Sequence, residues 1–484
     1  MPNYLTVFLN FWRINFIFLI AAISYPFAAH KAVYFFLKQS GPTFIKLGQL
    51  LSTRSDLIGE ELAKTLSVFQ DKLSPFSFSK VNKIIQSEFG KEITELFAEF
   101  APSPVACASI AQTHRAKTLQ GEEIAVKILR PQIDKLMARD IATLKFLLTI
   151  IGIFAIHTKN KLSNLVTLLE NCREKELDML YEASSAIDLK EKLKNLEGFY
   201  IPKIYWQLTS HKILTSEWID GIAFSNIKAI QASNFDKKQI AKNLVIAYFN
   251  QVYIHGVFHA DMHPGNLFLM ANGDIGAVDF GIIGTISKKM RIAVAEILLG
   301  FLNRDYKKIA AIHIRSGLIP PDTNIDEFAK SARIIGESIV DLSVKQISLA
   351  KLLTHLIKMT KKYNMNTDAE LLLLQKTLLL VEGVGAALDP DLNIWELANP
   401  WMREWAVKNI GFDAKIRDAF VDALEIIKKL PSMIDDKKIN ENQNLKDEIL
   451  QLKYREGKWK IIALISLISL ISLVVFILYV LGAV

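Results

Sequence analysis

The segment His259-Ala-Asp-Met-His-Pro-Gly-Asn266, followed by Asp279-Phe-Gly281, constrains the fold of this chain more than any other stretch. Pro264 and Gly265 form a turn between Asp261 and Asn266, and such a turn folds both side chains back toward one point. An apolar run, Leu267-Phe-Leu-Met270, then leads through Asn272-Gly-Asp274 into Ile275-Gly-Ala-Val278. That pattern predicts a β-hairpin whose second strand delivers Asp279 beside the turn. The fold must therefore bring two acids and an amide together at the end of a strand pair. A solvated acidic turn is the bland alternative, and three polar groups at this spacing argue against it.

Two acids and an amide so placed suit phosphoryl transfer. In the protein-kinase template one Asp orients or deprotonates the nucleophile, an Asn of the same loop holds Mg²⁺, and the Asp of Asp-Phe-Gly bridges metal and phosphates. Asp261, Asn266 and Asp279 fit those roles in that order. The template also requires a lysine on an upstream strand, and Glu123-Ile-Ala-Val-Lys127-Ile-Leu129 provides one in a β-favouring alternation. Where a glycine-rich loop would precede it, the chain has Val105, Ala106, Cys107, Ala108, Ser109, Ile110, Ala111, Gln112 and Thr113. Alanine permits close backbone approach to phosphates but disfavours positive φ, so this loop is expected to be stiff. Thr215-Ser-Glu-Trp-Ile-Asp-Gly221 follows a strand-like run and reads as a hinge between lobes. After Gly281 a helix is expected soon, without a long activation segment.

Two further segments complete a pattern. Gly41-Pro-Thr-Phe-Ile-Lys46-Leu-Gly-Gln49 carries a Lys-x-Gly-Gln signature, and Glu176-Leu-Asp178, with Glu182 beyond, a Glu-x-Asp motif. With these the chain resembles, from about residue 40 to about 290, the UbiB family of atypical kinase-like proteins associated with ubiquinone biosynthesis. The resemblance implies an α+β, bilobal protein-kinase-like fold with family-specific N-terminal helices and a helical C-lobe; the single C-terminal transmembrane helix expected here departs from relatives that end in two hydrophobic spans. It implies ATP and Mg²⁺ as cofactors, residues 105–113 as the nucleotide loop, Asp261 as the catalytic position, and Asn266 and Asp279 as metal ligands. Lys127 would contact phosphates and pair with either Glu176 or Glu182. The helix bearing Lys46 and Gln49 would fold over the place where a protein kinase seats a peptide, which argues against a conventional protein substrate. Without that pattern Lys46 would be an ordinary helix-face lysine, and the two glutamates surface partners within one charged helix. His259 and His263 lack a third ligand at zinc spacing.

Composition adds limits at the ends. Hydrophobic residues make up 51% of the 484, and Cys107 and Cys172 are the only cysteines, so no disulfide framework is expected. Residues 461–484 carry no charge. Twenty-four residues at about 1.5 Å each exceed a hydrocarbon core of about 30 Å. The basic flank Lys453, Arg455, Lys458 and Lys460 places the body on the cytoplasmic side. The expected organisation is a membrane-associated segment at 1–38, read as not spanning because Asn15 and Pro26 interrupt its apolar stretch at Ile14–Ala29. It continues with a helical extension at 39–100, an N-lobe at 101–220, a C-lobe at 221–435, a polar linker at 436–460 and the transmembrane helix at 461–484.

The net charge of +8 is dispersed and accompanies no nucleic-acid motif, so an anionic membrane surface is the expected partner. The expectation is a membrane-anchored, Mg²⁺-dependent kinase-like ATPase of a bacterial or organellar inner membrane, supporting ubiquinone (coenzyme Q) biosynthesis. Polyprenylated phenol or quinone precursors, membrane lipids and other quinone-biosynthesis proteins are the implied partners. A kinase for a small molecule, lipid or protein, or a nucleotide-gated scaffold, are the alternatives. Direct hydroxylation is disfavoured, because no flavin fingerprint, haem ligand set or iron triad is present.

Overall fold

The computed structural model describes residues 4–25, 28–52, 58–66, 74–154, most positions of 163–176, 177–340, 362–363, 369–392 and a few positions up to Trp405. The expected linker at 436–460 and transmembrane helix at 461–484 lie outside the described residues.

The upper lobe is an antiparallel sheet in the order β1 (Phe97–Phe100), β3 (Ala111–Thr118), β4 (Glu123–Leu129), β6 (Ile213–Glu217), with β2 (Ala106–Cys107) paired to β3. Its first strand lies ahead of residue 101. The period of two along β4 sends Ile124, Val126 and Ile128 to one face, where they are fully buried against Val81 and Ile85 of the helix Phe78–Phe89. β-Branched side chains suit that half-buried pleat. The same alternation turns Lys127 to the opposite face, between Thr113 of β3 and Leu214 of β6.

Trp218, Ile219 and Asp220 carry the chain from β6 into a second sheet, ordered β5 (Phe199–Tyr200), β10 (Ile275–Ala277), β9 (Leu267–Met270), β7 (Gly221–Ala223). This crossing is the hinge expected at Thr215–Gly221. Gly221 permits it, since a Cβ there would lie 2.6 Å from the Leu269 carbonyl oxygen. The expected hairpin is β9 and β10, with Ile275 opposite Leu269 and Ala277 opposite Leu267. β8 (Val257–His259) pairs with β11 (Ile283–Thr285), and Ser287 caps a helix starting at Lys288, so the chain after Gly281 is short.

The lower lobe is otherwise helical. Asp236 caps the helix Lys237–Phe249 by accepting from the Lys238 and Gln239 amides. That helix packs on Ala369–Leu388, and Leu244, Val245 and Val252 are fully buried in the main core. Truncating Leu244 to alanine there should cost about 2–5 kcal/mol.

The amino-terminal helix runs Tyr4–Ser24, earlier than the apolar stretch expected from Ile14 to Ala29, and stops before Pro26. It buries Phe11, Ile14, Phe18 and Ala21 against Ala29–Ser40 and Ile133–Phe154. Asn10 donates to the fully buried Asp140 at 3.0 Å and to Thr143 at 2.9 Å, so a polar pair locates the helix on the body. Leu5, Leu9, Phe16, Ile20 and Ile23 remain exposed. This helix and Glu370–Leu388 are each long and apolar enough to cross a membrane.

Candidate active site

The floor of the cleft is built by the turn after β8. The His263 amide donates to the Asp261 carbonyl at 2.7 Å and the Asn266 amide to the His263 carbonyl at 2.8 Å. The Asn266 side-chain amide closes the loop on the Asp261 carbonyl at 3.1 Å. Pro264 and Gly265 thus bring Asn266 back onto Asp261, as their turn chemistry predicts.

His259 is fully buried beneath this loop. Its Nδ1 accepts from the Asp261 amide at 3.1 Å, which leaves Nε2 to carry the proton and donate to the Val278 carbonyl at 3.0 Å. Burial holds its pKa below the ordinary value. Both ring nitrogens are therefore committed to pinning the loop to the strand end that precedes Asp279. The Val278 amide meanwhile donates to the Asn266 carbonyl at 2.9 Å, fastening the two expected metal-ligand positions to each other. Asp279 has φ +65°, a left-handed conformation that an aspartate adopts at a cost and that is found at functional sites.

Charge is concentrated above this floor. Lys127 Nζ lies 2.9 and 3.0 Å from the two Glu182 oxygens and 3.0 Å from Asp279 Oδ1. The choice left open by the sequence is thereby made: Glu182 pairs with Lys127, and Glu176 pairs with Lys46. The expectation that both glutamates share one continuous helix is corrected. Leu177 and Asp178 interrupt it, and Asp178 caps the new helix Met179–Lys192 by accepting from the Leu180 amide at 3.0 Å. That restart puts Glu182 in the first turn, facing β4.

Burial works against the Lys127 ammonium, but Asp279 and Glu182 outweigh it and raise its pKa. Burial likewise opposes ionised Asp279, and Lys127, helped by Lys46, holds its pKa below the usual carboxylate value. Burial pushes the Glu182 carboxyl upward, the neighbouring Asp279 and Glu176 charges add to it, and Lys127 offsets only part of the rise.

The alanine-rich loop is the β2–β3 hairpin. The Ala108 amide donates to the Ala111 carbonyl at 2.8 Å, and the Ala108 carbonyl accepts from Arg130 Nε at 3.2 Å and Nη2 at 3.1 Å. Among the described non-glycine residues positive φ occurs at Gln132, Asp279 and Arg304, so the loop is built without glycine-like geometry. Val105 and Ala106 are exposed, Cys107, Ala108, Ile110 and Thr113 half-buried, and Ser109 and Ala111 buried. Gln112 spends its side chain on hydrogen bonds within the lobe. It is buried, with Oε1 accepting from the Phe76 amide at 2.9 Å and Nε2 2.8 Å from His114 Nε2, so its amide ties the segment at Phe76 to β3. Gln49 lies one turn after Lys46 on the helix Pro42–Ser52 and is half-buried.

Sequence reasoning missed two cations. Arg130 fixes the hairpin tip. Lys376, in Ala369–Leu388, places Nζ 3.0 Å from Asp261 Oδ1. Burial alone would raise the Asp261 pKa, and Lys376 more than offsets it, leaving the carboxyl below its ordinary value. Its signal is a lone lysine inside the mostly apolar run Leu371-Leu-Leu-Leu-Gln-Lys-Thr-Leu-Leu-Leu-Val381.

Among the described residues there is no group of three or more His, Cys, Asp or Glu that could hold a metal by itself. Asn266 and Asp279 carry an amide and a carboxylate oxygen, donor types that Mg²⁺ accepts beside phosphate and water. The nearby cavity of about 450 Å³ lined by Tyr200, Lys203, Glu217 and Trp218 is a different feature: Glu217 there is bound by Tyr200 Oη at 2.6 Å.

A strand lysine paired with a helix acid, a catalytic-type loop and an Asp-Phe-Gly strand end, in two lobes joined by a hinge, define a kinase-like protein. Residues 68–313 match the ABC1 atypical kinase-like domain and residues 332–393 the UbiB helical domain. A Marinobacter nauticus protein named "Probable protein kinase UbiB" is 36% identical over 83% of this chain and 75% of its own length. A Pseudomonas fluorescens protein of the same name is 37% identical over 78% and 71%. The chain belongs to the ABC1/UbiB family of atypical kinase-like proteins. The fold alone is also shared with Rv3197 of Mycobacterium tuberculosis, solved in complex with erythromycin, at TM-score 0.50 and 24% identity, over 72% of this chain and 90% of that one.

Proposed function

We propose that this chain binds ATP with Mg²⁺ in the cleft between its lobes and hydrolyses it, or passes its γ-phosphoryl group to a small acceptor, in support of ubiquinone biosynthesis. The observation carrying this reading is Lys127 held between Glu182 and Asp279. A phosphate-binding lysine kept cationic and fixed above a metal-ligand position is what nucleotide binding needs. Asn266 and Asp279 would hold Mg²⁺, which when bound neutralises phosphate charge. Lys127 and the backbone of residues 105–113 bind and orient the nucleotide, and Asp261 orients the attacking oxygen.

Hydrolysis is favoured over transfer to a peptide by the Pro42–Ser52 helix. Its Lys46 reaches Glu176 and acts on Asp279 from within the charged cluster, so that helix occupies one wall of the site. The exposed apolar row of the Tyr4–Ser24 helix, and the apolar residues 461–484, support a seat on an inner membrane with polyprenylated phenol intermediates and quinone-biosynthesis enzymes as neighbours.

The test uses full-length protein in nanodiscs and ATP labelled on the γ-phosphate. Free labelled phosphate that requires Mg²⁺ is the expected product. Label recovered on a prenylphenol or lipid would replace hydrolysis by transfer, and no Mg²⁺-dependent ATP binding would remove the proposal.

A further inference from the structure

The helical domain touches the catalytic loop at two successive residues. Lys376 Nζ is 3.0 Å from Asp261 Oδ1, and the buried Thr377 Oγ1 shares its proton between the Leu373 carbonyl of its own helix at 2.9 Å and the Ala260 carbonyl at 3.2 Å. One turn of helix is thereby docked onto the residue expected to face the nucleophile and onto the peptide before it. The other Asp261 oxygen, Oδ2, looks toward Asn266 Nδ2 at 3.4 Å. The carboxylate is thus oriented from both sides, by its own loop and by a helix 115 residues further on.

Two features make Lys376 more than a brace. Side-chain exposure is 30% for Lys376 and 33% for Asp261, against 17% and 8% for Lys127 and Glu182, so this pair sits in the open part of the cleft. Lysine is moreover a point charge on a four-carbon stem, able to exchange one oxygen ligand for another nearby without moving its helix. Among the described residues, Lys127 is paired with Glu182 and Asp279 and Lys46 with Glu176 on the less exposed side of the cleft. A phosphoryl group passing to an oxygen held by Asp261 comes within a few ångströms of Lys376, and charge on its equatorial oxygens needs a partner there.

We propose that Lys376, supplied by the helical domain, is a phosphoryl-contacting residue: it orients Asp261 in the resting site and moves onto the γ-phosphoryl oxygens during transfer. This rests on the nucleotide reading given above. In the step, the attacking oxygen bonds to the γ-phosphorus while the bond from that phosphorus to the β–γ bridging oxygen breaks. ADP leaves with the electron pair. The nucleophile's proton is accepted by Asp261 and released to the phosphate product or to solvent. Lys376 forms no covalent bond; it neutralises charge that builds only on the way across. The helical domain is therefore part of the catalytic apparatus, and a displacement of Ala369–Leu388 would withdraw a charge from the site.

The experiment compares full-length wild type with Lys376→Met and Lys376→Arg. It measures phosphate release, Mg-ATP affinity, and the affinity for ADP alone and for ADP with aluminium fluoride, a mimic of the group in flight. Lys376→Met is expected to leave ADP and Mg-ATP affinity within about threefold, while turnover and ADP–aluminium fluoride affinity each fall on the order of 100-fold, as when one charge-stabilising donor is removed. Lys376→Arg should restore part of both. Equal weakening of ADP and of ADP–aluminium fluoride would overturn the assignment, since a merely structural lysine acts on both alike. Unchanged turnover in an active preparation would do the same and leave the nucleotide reading standing. A wild type that binds no Mg-ATP would overturn both.

Discussion

The two walls of the cleft hold their charges differently. On the upper side, Lys127 and Glu182 expose 17% and 8% of their side chains, and Lys46 and Glu176 10% and 6%. On the lower side Asp261 and Lys376 keep about a third exposed, and Asp279 bridges the two with 44%. Breaking a buried pair by removing one partner costs about 3–5 kcal/mol, because the other charge is stranded. Such pairs form a fixed surface, suited to binding the same triphosphate repeatedly. A pair in contact with water has weaker mutual attraction and exchanges partners easily, which suits a group that must change ligands in each turnover. The contrast separates holding from turning over, and substitutions on each wall should separate the two as well.

Asp279→Asn breaks the comparison most severely, because it removes charge from the position that serves both walls. Mg-ATP affinity should fall by about 100-fold or more, read by calorimetry with Mg²⁺ titrated. Unchanged affinity would refute the metal assignment. Glu182→Gln acts on the upper wall alone. It leaves Lys127 with Asp279 as its remaining carboxylate among the described residues, draws that acid from its proposed metal role, and should weaken Mg-ATP by about tenfold, equivalent to one charge-assisted hydrogen bond. An equal loss of turnover at saturating nucleotide would show that the walls are not separable. Ala108→Gly is the mildest change. It loosens the hairpin tip whose carbonyl Arg130 grips, costs about 0.4–1 kcal/mol of stability through the unfolded chain, and should change ATP against ADP preference by roughly threefold. Values identical to wild type in nucleotide affinity, phosphate release and quinone content of a complemented null strain would reduce the alanine loop to a tolerated variant.

The lower loop and the strand lysine were legible in the sequence because their determinants are local. A proline-glycine turn folds Asn266 onto Asp261, a two-strand hairpin sets Asp279, and a period of two points Lys127 away from Ile124, Val126 and Ile128. Partners set by tertiary packing were not legible. Glu176 and Glu182 could be told apart only through the helix break at Leu177, although Asp178 is a good capping residue and marks it. Lys376 lies 115 residues from Asp261 in a leucine run whose apolarity reads as core, and it is core on its other faces. The partners of Gln112 were not legible either: its buried amide meets the backbone of Phe76, 36 residues earlier in the chain.

The division between the walls meets its most direct test in Asp261→Asn, assayed for Mg-ATP affinity by calorimetry and for phosphate release in a single turnover. Affinity is expected to stay within about threefold of wild type while release slows by a factor on the order of 100 to 10,000, the usual worth of a positioned acid or base. Loss of Mg-ATP binding as deep as that of Asp279→Asn would contradict the account, because the lower wall would then be holding the nucleotide rather than turning it over.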